Sequence, residues 1–307
     1  ARCHLFGISL PVKVKEKLAA ATAWMADLLD NESGQVPNLG HNDGTLLLPP
    51  GCSDFNDYQP TIQAASIAFR GAAVLPPGPW DSLARFLNLP LPALGNPAAM
   101  AHSSAIYRIG QGSQWAALRA VQYKNRPAHA DQLHVDMWWD GLNIAKDPGT
   151  YSYNAPPPWQ NALVSTRVHN TITIDHLDQM VPAGKFLFLD RAQAHWLPNP
   201  DENTLSAYHR GYNNKGVTHT RTLSINPGRG FSIVDQVTMK NPKQPREVTL
   251  HWLLPDWQWA WQEGVLQLSH QNHHIDLSIN AYPLDTDALV PPSLVELIPA
   301  PPVPAVA

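Results

Sequence analysis

Cysteine is scarce: Cys3 and Cys52 are the only two in 307 residues. That excludes a disulfide scaffold and leaves one bridge or two free thiols equally open. Charge is also sparse, at 15% Asp, Glu, Lys and Arg, with a formal net charge of −4. No basic field surrounds such a chain, so no nucleic-acid partner is expected. No run reaches the roughly 18 apolar residues of a membrane helix, so no membrane span is expected. No signal-peptide pattern opens the chain. It begins at Ala1 rather than Met, so a processed or trimmed start is expected.

Proline, by contrast, is abundant. Its 30 residues are about twice the usual share. Pro interrupts the hydrogen bonds of helix interiors and central strands, which argues against a mainly helical protein. The 44% apolar content suffices for a buried core and excludes wholesale disorder. The length fits one large or two ordinary domains.

The first 75 residues read as helices. Val14, Leu18, Ala21, Met25 and Leu28 recur at three- and four-residue steps, which predicts a helix over 11–30. A Gly-, Pro- and Asn-rich loop follows, and residues 61–71 read as a second helix with Ile62, Ala65 and Phe69 on one side. Residues 76–101 are a Pro-rich linker around one short helix near 81–87. From 102 to 290 the pattern changes to short period-two runs between turn signals, such as AIYRIG, QLHVDMWW, NTITID, KFLFLD, FSIVDQVTM and GVLQLSH. About ten such runs predict an antiparallel β-sandwich or barrel. Residues 291–307 form a Pro- and Ala-rich tail.

Three segments hold candidate chemistry. In the first, strand parity puts His129 and Asp131 on one face with Leu133, Val135 and Met137, near its rim. The second is Asp147-Pro148-Gly149, ordinary turn chemistry when read alone. The third carries His169, which strand parity places opposite the apolar face of Ile172 and Ile174 unless a bulge re-aims it. His129, Asp147 and His169 together offer two imidazoles and one carboxylate, a donor set that with a water suits tetrahedral Zn²⁺. Fourteen histidines make accidental triplets common. His209 and His219 read as residues of a solvated polar face.

HADQLHVDMWWDG, DPGTYSY and RVHNTITIDHLDQM, in that order, resemble the C-terminal β domain of the heparinase II/III-like polysaccharide lyases. VPNLGHNDGTLLLPP followed by DYQPTIQAAS is similar to the end of the same family's helical domain, and HRGYNNKGVTHTRTL to a later strand pair. The resemblance runs from about residue 10 to 280. It implies a multi-sheet antiparallel β-sandwich preceded by the last helices of an incomplete α/α toroid. It implies metal ligands at His129, Asp147 and His169, around a zinc ion that is structural rather than Lewis-acid catalytic. It further implies cleavage of a uronic-acid polysaccharide by β-elimination, and a periplasmic or secreted location.

Two departures stand out. Family members often carry a second His two residues before the one matching His129, where this chain has Pro127. The family's carboxylate-neutralising Asn or His and a key Tyr lie in the helical domain, so they are expected before residue 1, in a missing N-terminal part. From the β side, Tyr151 and Tyr153 beside Asp147 are the candidate catalytic residues. Arg126, with Lys124 nearby, is a candidate for the substrate carboxylate, Trp159 for stacking on a sugar, and Asn42 and Asp43 for lining the cleft. Two rival readings are a non-catalytic carbohydrate-binding β-sandwich and a metal-dependent hydrolase with an open catalytic zinc.

Overall fold

The computed structural model describes residues 9–42, 44, 54–92, 95, 105–226, 228–241 and 243–281. Cys3, Cys52, Asp43 and the tail expected over 291–307 lie outside the described residues. The chain divides into two units, Ala1–Leu254 and Pro255–Ala307.

Among the described residues the first unit begins with three α-helices: α1 (Val12–Asp27), α2 (Gln59–Arg70) and α3 (Ser82–Phe86). Pro60 sits in the first turn of α2, where its missing N–H costs nothing, and Gly71 ends the helix in the left-handed region. The buried face of α2 is not the expected one. Ile62 is on it, but Ala65 and Phe69 are only half-buried, while Gln63 is 1% exposed. Gln63 holds its place because it is fully bonded. Its amide donates to Leu75 O and Asp81 Oδ1, and its oxygen accepts from Val74 N and Leu75 N.

Fifteen strands follow among the described residues, all paired antiparallel. The first sheet is β1 (Ile106–Gln111), β2 (Gln114–Arg119), β3 (Val135–Trp139) and β4 (Leu142–Ala145), in chain order. β5 (Ile172–Ile174) pairs with β12 (Val248–Leu250), and β6 (Pro182–Gly184) with β7 (Leu187–Phe188). A second four-stranded sheet runs β11 (Gly230–Met239), β10 (Val217–Asn226), β9 (Thr204–His209) and β8 (Ala194–Trp196). The second unit carries β13 (Gln258–Gln262), β14 (Val265–His270) and β15 (His273–Ser278). The mainly β, multi-sheet architecture expected from the period-two runs is the one observed.

Helix and sheet are joined at the end of α1. Trp115 and Trp138 stack at 5.2 Å in a cluster with Leu28 and Ile106. Trp115 donates its indole hydrogen to Asp30 (3.0 Å). Arg108 lies over the Trp115 ring at 4.1 Å and donates to Asp27 O and Leu29 O, carbonyls left free where the helix stops.

Candidate metal centre and the aromatic cluster beside it

The segment carrying His129 is not a strand. β3 begins only at Val135, and Leu133 adopts φ +60°. A branched residue in that region is strained, so the neighbours must hold it there. The turn breaks the period-two parity expected from the sequence. His129, Asp131 and His134 are all fully buried, and the His134 ring lies 5.6 Å from that of His169. Sequence reasoning missed His134, which parity assigns to the opposite face.

His169 corrects a second expectation. It follows a 3-10 turn, Thr166–Val168, rather than sitting inside a strand, so its expected outward orientation does not apply. It is fully buried. Its Nδ1 lies 2.8 Å from Ser165 O, which only accepts, so Nδ1 carries the hydrogen and Nε2 the lone pair.

Asp147 is prepared by its own turn. Oδ1 accepts from Gly149 N at 2.8 Å, and Oδ2 faces the imidazoles. Gly149 has φ +69°, and a Cβ there would fall 2.2 Å from Asn38 Nδ2. Glycine is therefore required by backbone and neighbour alike.

The structure brings the three sequence-selected residues together. His129 Nδ1 is 3.2 Å from His169 Nε2, which is 3.6 Å from Asp147 Oδ2. Tetrahedral zinc with bonds of about 2.0–2.2 Å has ligand–ligand edges of roughly 3.3–3.6 Å, so these spacings fit. Asp131 joins them, with donor atoms of the four residues within 4.8 Å of one another. Its carboxylate already carries Arg119 Nε at 2.8 Å and the Tyr123 hydroxyl at 3.2 Å. His134 is not a donor to a metal. Its Nδ1 accepts from Asn170 N (3.0 Å), so the hydrogen of the neutral ring is on Nε2, 3.8 Å from Asp147 Oδ2.

Electrostatics point the same way. Burial pushes Asp147 up to about 7, a carboxylate short of positive charge. Burial pushes His129 down to about 4 and His169 to about 3, keeping both neutral. Burial would raise Asp131, but Arg119 and three imidazoles outweigh it and hold the group low. Asp147 Oδ2 and His129 Nε2 are buried without a hydrogen-bond partner. Such orphaned atoms are costly, and a cation beside Asp147 would remove its share of that cost.

A second loop adjoins this floor. Thr150 Oγ1 donates to Gly40 O and accepts from Asn42 N, fastening the 40–42 loop to the Asp147 turn. His41 between them lies edge-on to His129 (6.0 Å), Tyr153 (5.6 Å) and Phe186 (5.4 Å). Partial burial and Arg126 lower its pKa. Arg126 is exposed, with its guanidinium 5.5 Å from the Phe186 ring centre. The two tyrosines separate: Tyr153 packs edge-on to His41 and Phe186, whereas Tyr151, at φ +56°, pairs with Trp159 at 6.0 Å. Asn42 Oδ1 accepts from Gly44 N, a turn-forming bond. His41 and Phe186 went unnoticed in the sequence. The signal for His41 was its place in the loop already selected for Asn42.

His209 and His219 are buried, not solvated as expected. His209 Nδ1 accepts from Gly211 N, its Nε2 lies 3.1 Å from His219 Nδ1, and His219 Nε2 is 2.6 Å from Asp235 Oδ1. Each ring finds a partner, which permits burial.

The heparinase II/III-like C-terminal family model matches residues 93–285. The chain belongs to the heparinase II/III-like family. Among solved structures, a heparinase III gene product has a TM-score of 0.63 at 17% identity, over 89% of this chain and 40% of its own. Heparan sulfate lyase HepC from Pedobacter heparinus has a TM-score of 0.55 at 15% identity, over 80% of this chain and 36% of its own. A second heparinase III structure gives 0.61 at 14% identity. This heparinase-like chain thus spans less than half the length of the structures it resembles. No curated protein matches it.

Proposed function

We propose that the chain is the C-terminal part of a lyase that cleaves a uronic-acid polysaccharide by β-elimination, in the periplasm or outside the cell. Family membership supports the class. The observation that carries the reading is the buried His129–Asp147–His169 cluster directly beside the His41 and Tyr153 rings and the exposed Arg126, which we read as the mouth of a cleft. His129, Asp147 and His169 would hold a zinc ion, with Asp131 adding negative charge. That ion would supply positive charge that pins the cleft floor.

The chemistry at the mouth follows from what elimination needs. A base takes the C5 proton, a C4–C5 double bond forms, the C4–O bond breaks, and the leaving oxygen gains a proton. The C5 anion is stabilised when the neighbouring carboxylate is neutralised. Arg126, an exposed cation, is our candidate to meet that carboxylate, and a guanidinium can do so in a bidentate fashion. Tyr153, beside the His41 imidazole, is our candidate to exchange a proton with the sugar. Tyr151 and Trp159 form an aromatic pair against which a neighbouring sugar can rest. The remaining carboxylate-binding groups are assigned to an N-terminal helical part.

The test is the absorbance of the unsaturated uronate product when the full-length parent meets alginate, heparan sulfate and other uronate polymers. New absorbance that falls in Tyr153→Phe and Arg126→Ala supports the reading. Glycan bound but left intact on every polymer favours a carbohydrate-binding role instead. Metal analysis should find about one zinc per chain, lost in His129→Ala and His169→Ala.

A further inference from the structure

One ion pair, its arginine fully buried and its aspartate partly so, lies outside the cluster and reaches into both loops that build it. Arg221 on β10 is fully buried, on the strand face it shares with Val217, His219, Leu223 and Ile225. Across the ladder it faces Asp235 on β11. Nε and Nη2 donate to the two Asp235 oxygens at 2.7 and 2.8 Å. Its other arm turns away from the sheet. Nη1 donates to Leu133 O at 2.7 Å and to Asn170 O at 2.5 Å.

Those two carbonyls are informative. Leu133 follows Asp131 by two residues and is the strained left-handed residue of the His129 loop. Asn170 directly follows His169. One planar guanidinium therefore ties together, across 37 residues of sequence, the two loops that present the imidazole donors. A left-handed leucine persists only where its surroundings over-determine it. Here the Leu133 N–H is bonded to Arg119 O at 2.8 Å and the carbonyl to Arg221. The His209–His219 chain ends on Asp235 and holds that carboxylate in line with the guanidinium.

We infer that Arg221, held by Asp235, is a positioning residue that sets the separation of His129 and His169 and so tunes the metal centre without touching it. This rests on the metal reading above. Lysine cannot replace the arginine, because one ammonium cannot span a carboxylate and two carbonyls in a fixed plane.

The experiment uses the whole chain loaded with Co²⁺, whose visible absorption reports tetrahedral geometry at the site. Affinity is read by chelator competition, and the melting temperature of the metal-free protein is recorded in parallel. Arg221→Lys should weaken Co²⁺ binding about 10- to 100-fold and shift the visible band, as outer-sphere changes at metal sites commonly do. Asp235→Asn frees the guanidinium and should move both readouts in the same direction by less. It supplies the measurement if Arg221→Lys does not fold. A lower melting temperature with parental affinity and spectrum in both variants overturns the inference and leaves the metal site standing. No Co²⁺ spectrum in the parent overturns the metal reading and this inference with it.

Discussion

At the residue scale, the Asp147 turn is where a small change should cost most. Gly149→Ala puts a methyl group at a left-handed position against Asn38. The backbone penalty is about 1–2 kcal/mol, and the side chain must also displace Asn38. The expected result is a melting temperature lower by several degrees and a metal content below that of the parent, read by calorimetry and elemental analysis. The sequence showed the glycine as part of an ordinary turn. It did not show that Gly149 N occupies one carboxylate oxygen of Asp147 and leaves the other facing His169. The residues that parity misplaced, His134 and His169, fail for one reason: each lies beside a non-strand turn, and alternation is a rule about strands. His219 and Arg221 are the opposite case. Val217, Leu223 and Ile225 bracket them at even spacing on β10, so alternation puts both on the core face; His219 was read as solvated against that pattern, and Arg221 drew no reading from the sequence.

At the element scale, the decisive joint lies between α1 and the first sheet. Arg108 meets two free helix carbonyls and the face of Trp115. Arg108→Ala should destabilise the chain by about 1–3 kcal/mol, measured as a shift of the urea midpoint with an unchanged slope. A reduced slope would instead mean that the helices detach separately. The helices themselves were legible from three- and four-residue apolar spacing, and most strands from alternation. Very short strands, such as β6 and β7, are set by pairing rather than by local preference, so the KFLFLD run yields only Leu187–Phe188.

At the scale of the whole molecule, buried imidazoles govern the response to pH. Burial lowers the pKa of His129, His169, His209 and His219 below the ordinary value of 6.5. A histidine whose folded pKa is depressed stabilises the fold fully above the unfolded value, and that contribution is lost as pH falls below it. Asp147 opposes this in the metal-free protein. Its pKa is raised to about 7, so its contribution is lost as pH rises from the unfolded value near 4 toward 7. Each group tilts stability by about 1.4 kcal/mol per pH unit within its window. Four imidazoles outweigh one carboxyl, so the metal-free chain should lose stability between pH 6.5 and 5, followed by urea unfolding at stepped pH. A flat profile there would show that the rings are not buried in neutral form.

Thr150 couples the 40–42 loop mechanically to the Asp147 turn. Its hydroxyl is latched to the backbone on both sides of His41, and it sits three residues from Asp147. On the proposed function, an oligosaccharide held against the 40–42 loop would brace Asp147 through this latch. Zinc bound there should then leave more slowly for a chelator when oligosaccharide is present, and Thr150→Val should abolish that difference, making ion release kinetics an occupancy gauge that requires no turnover.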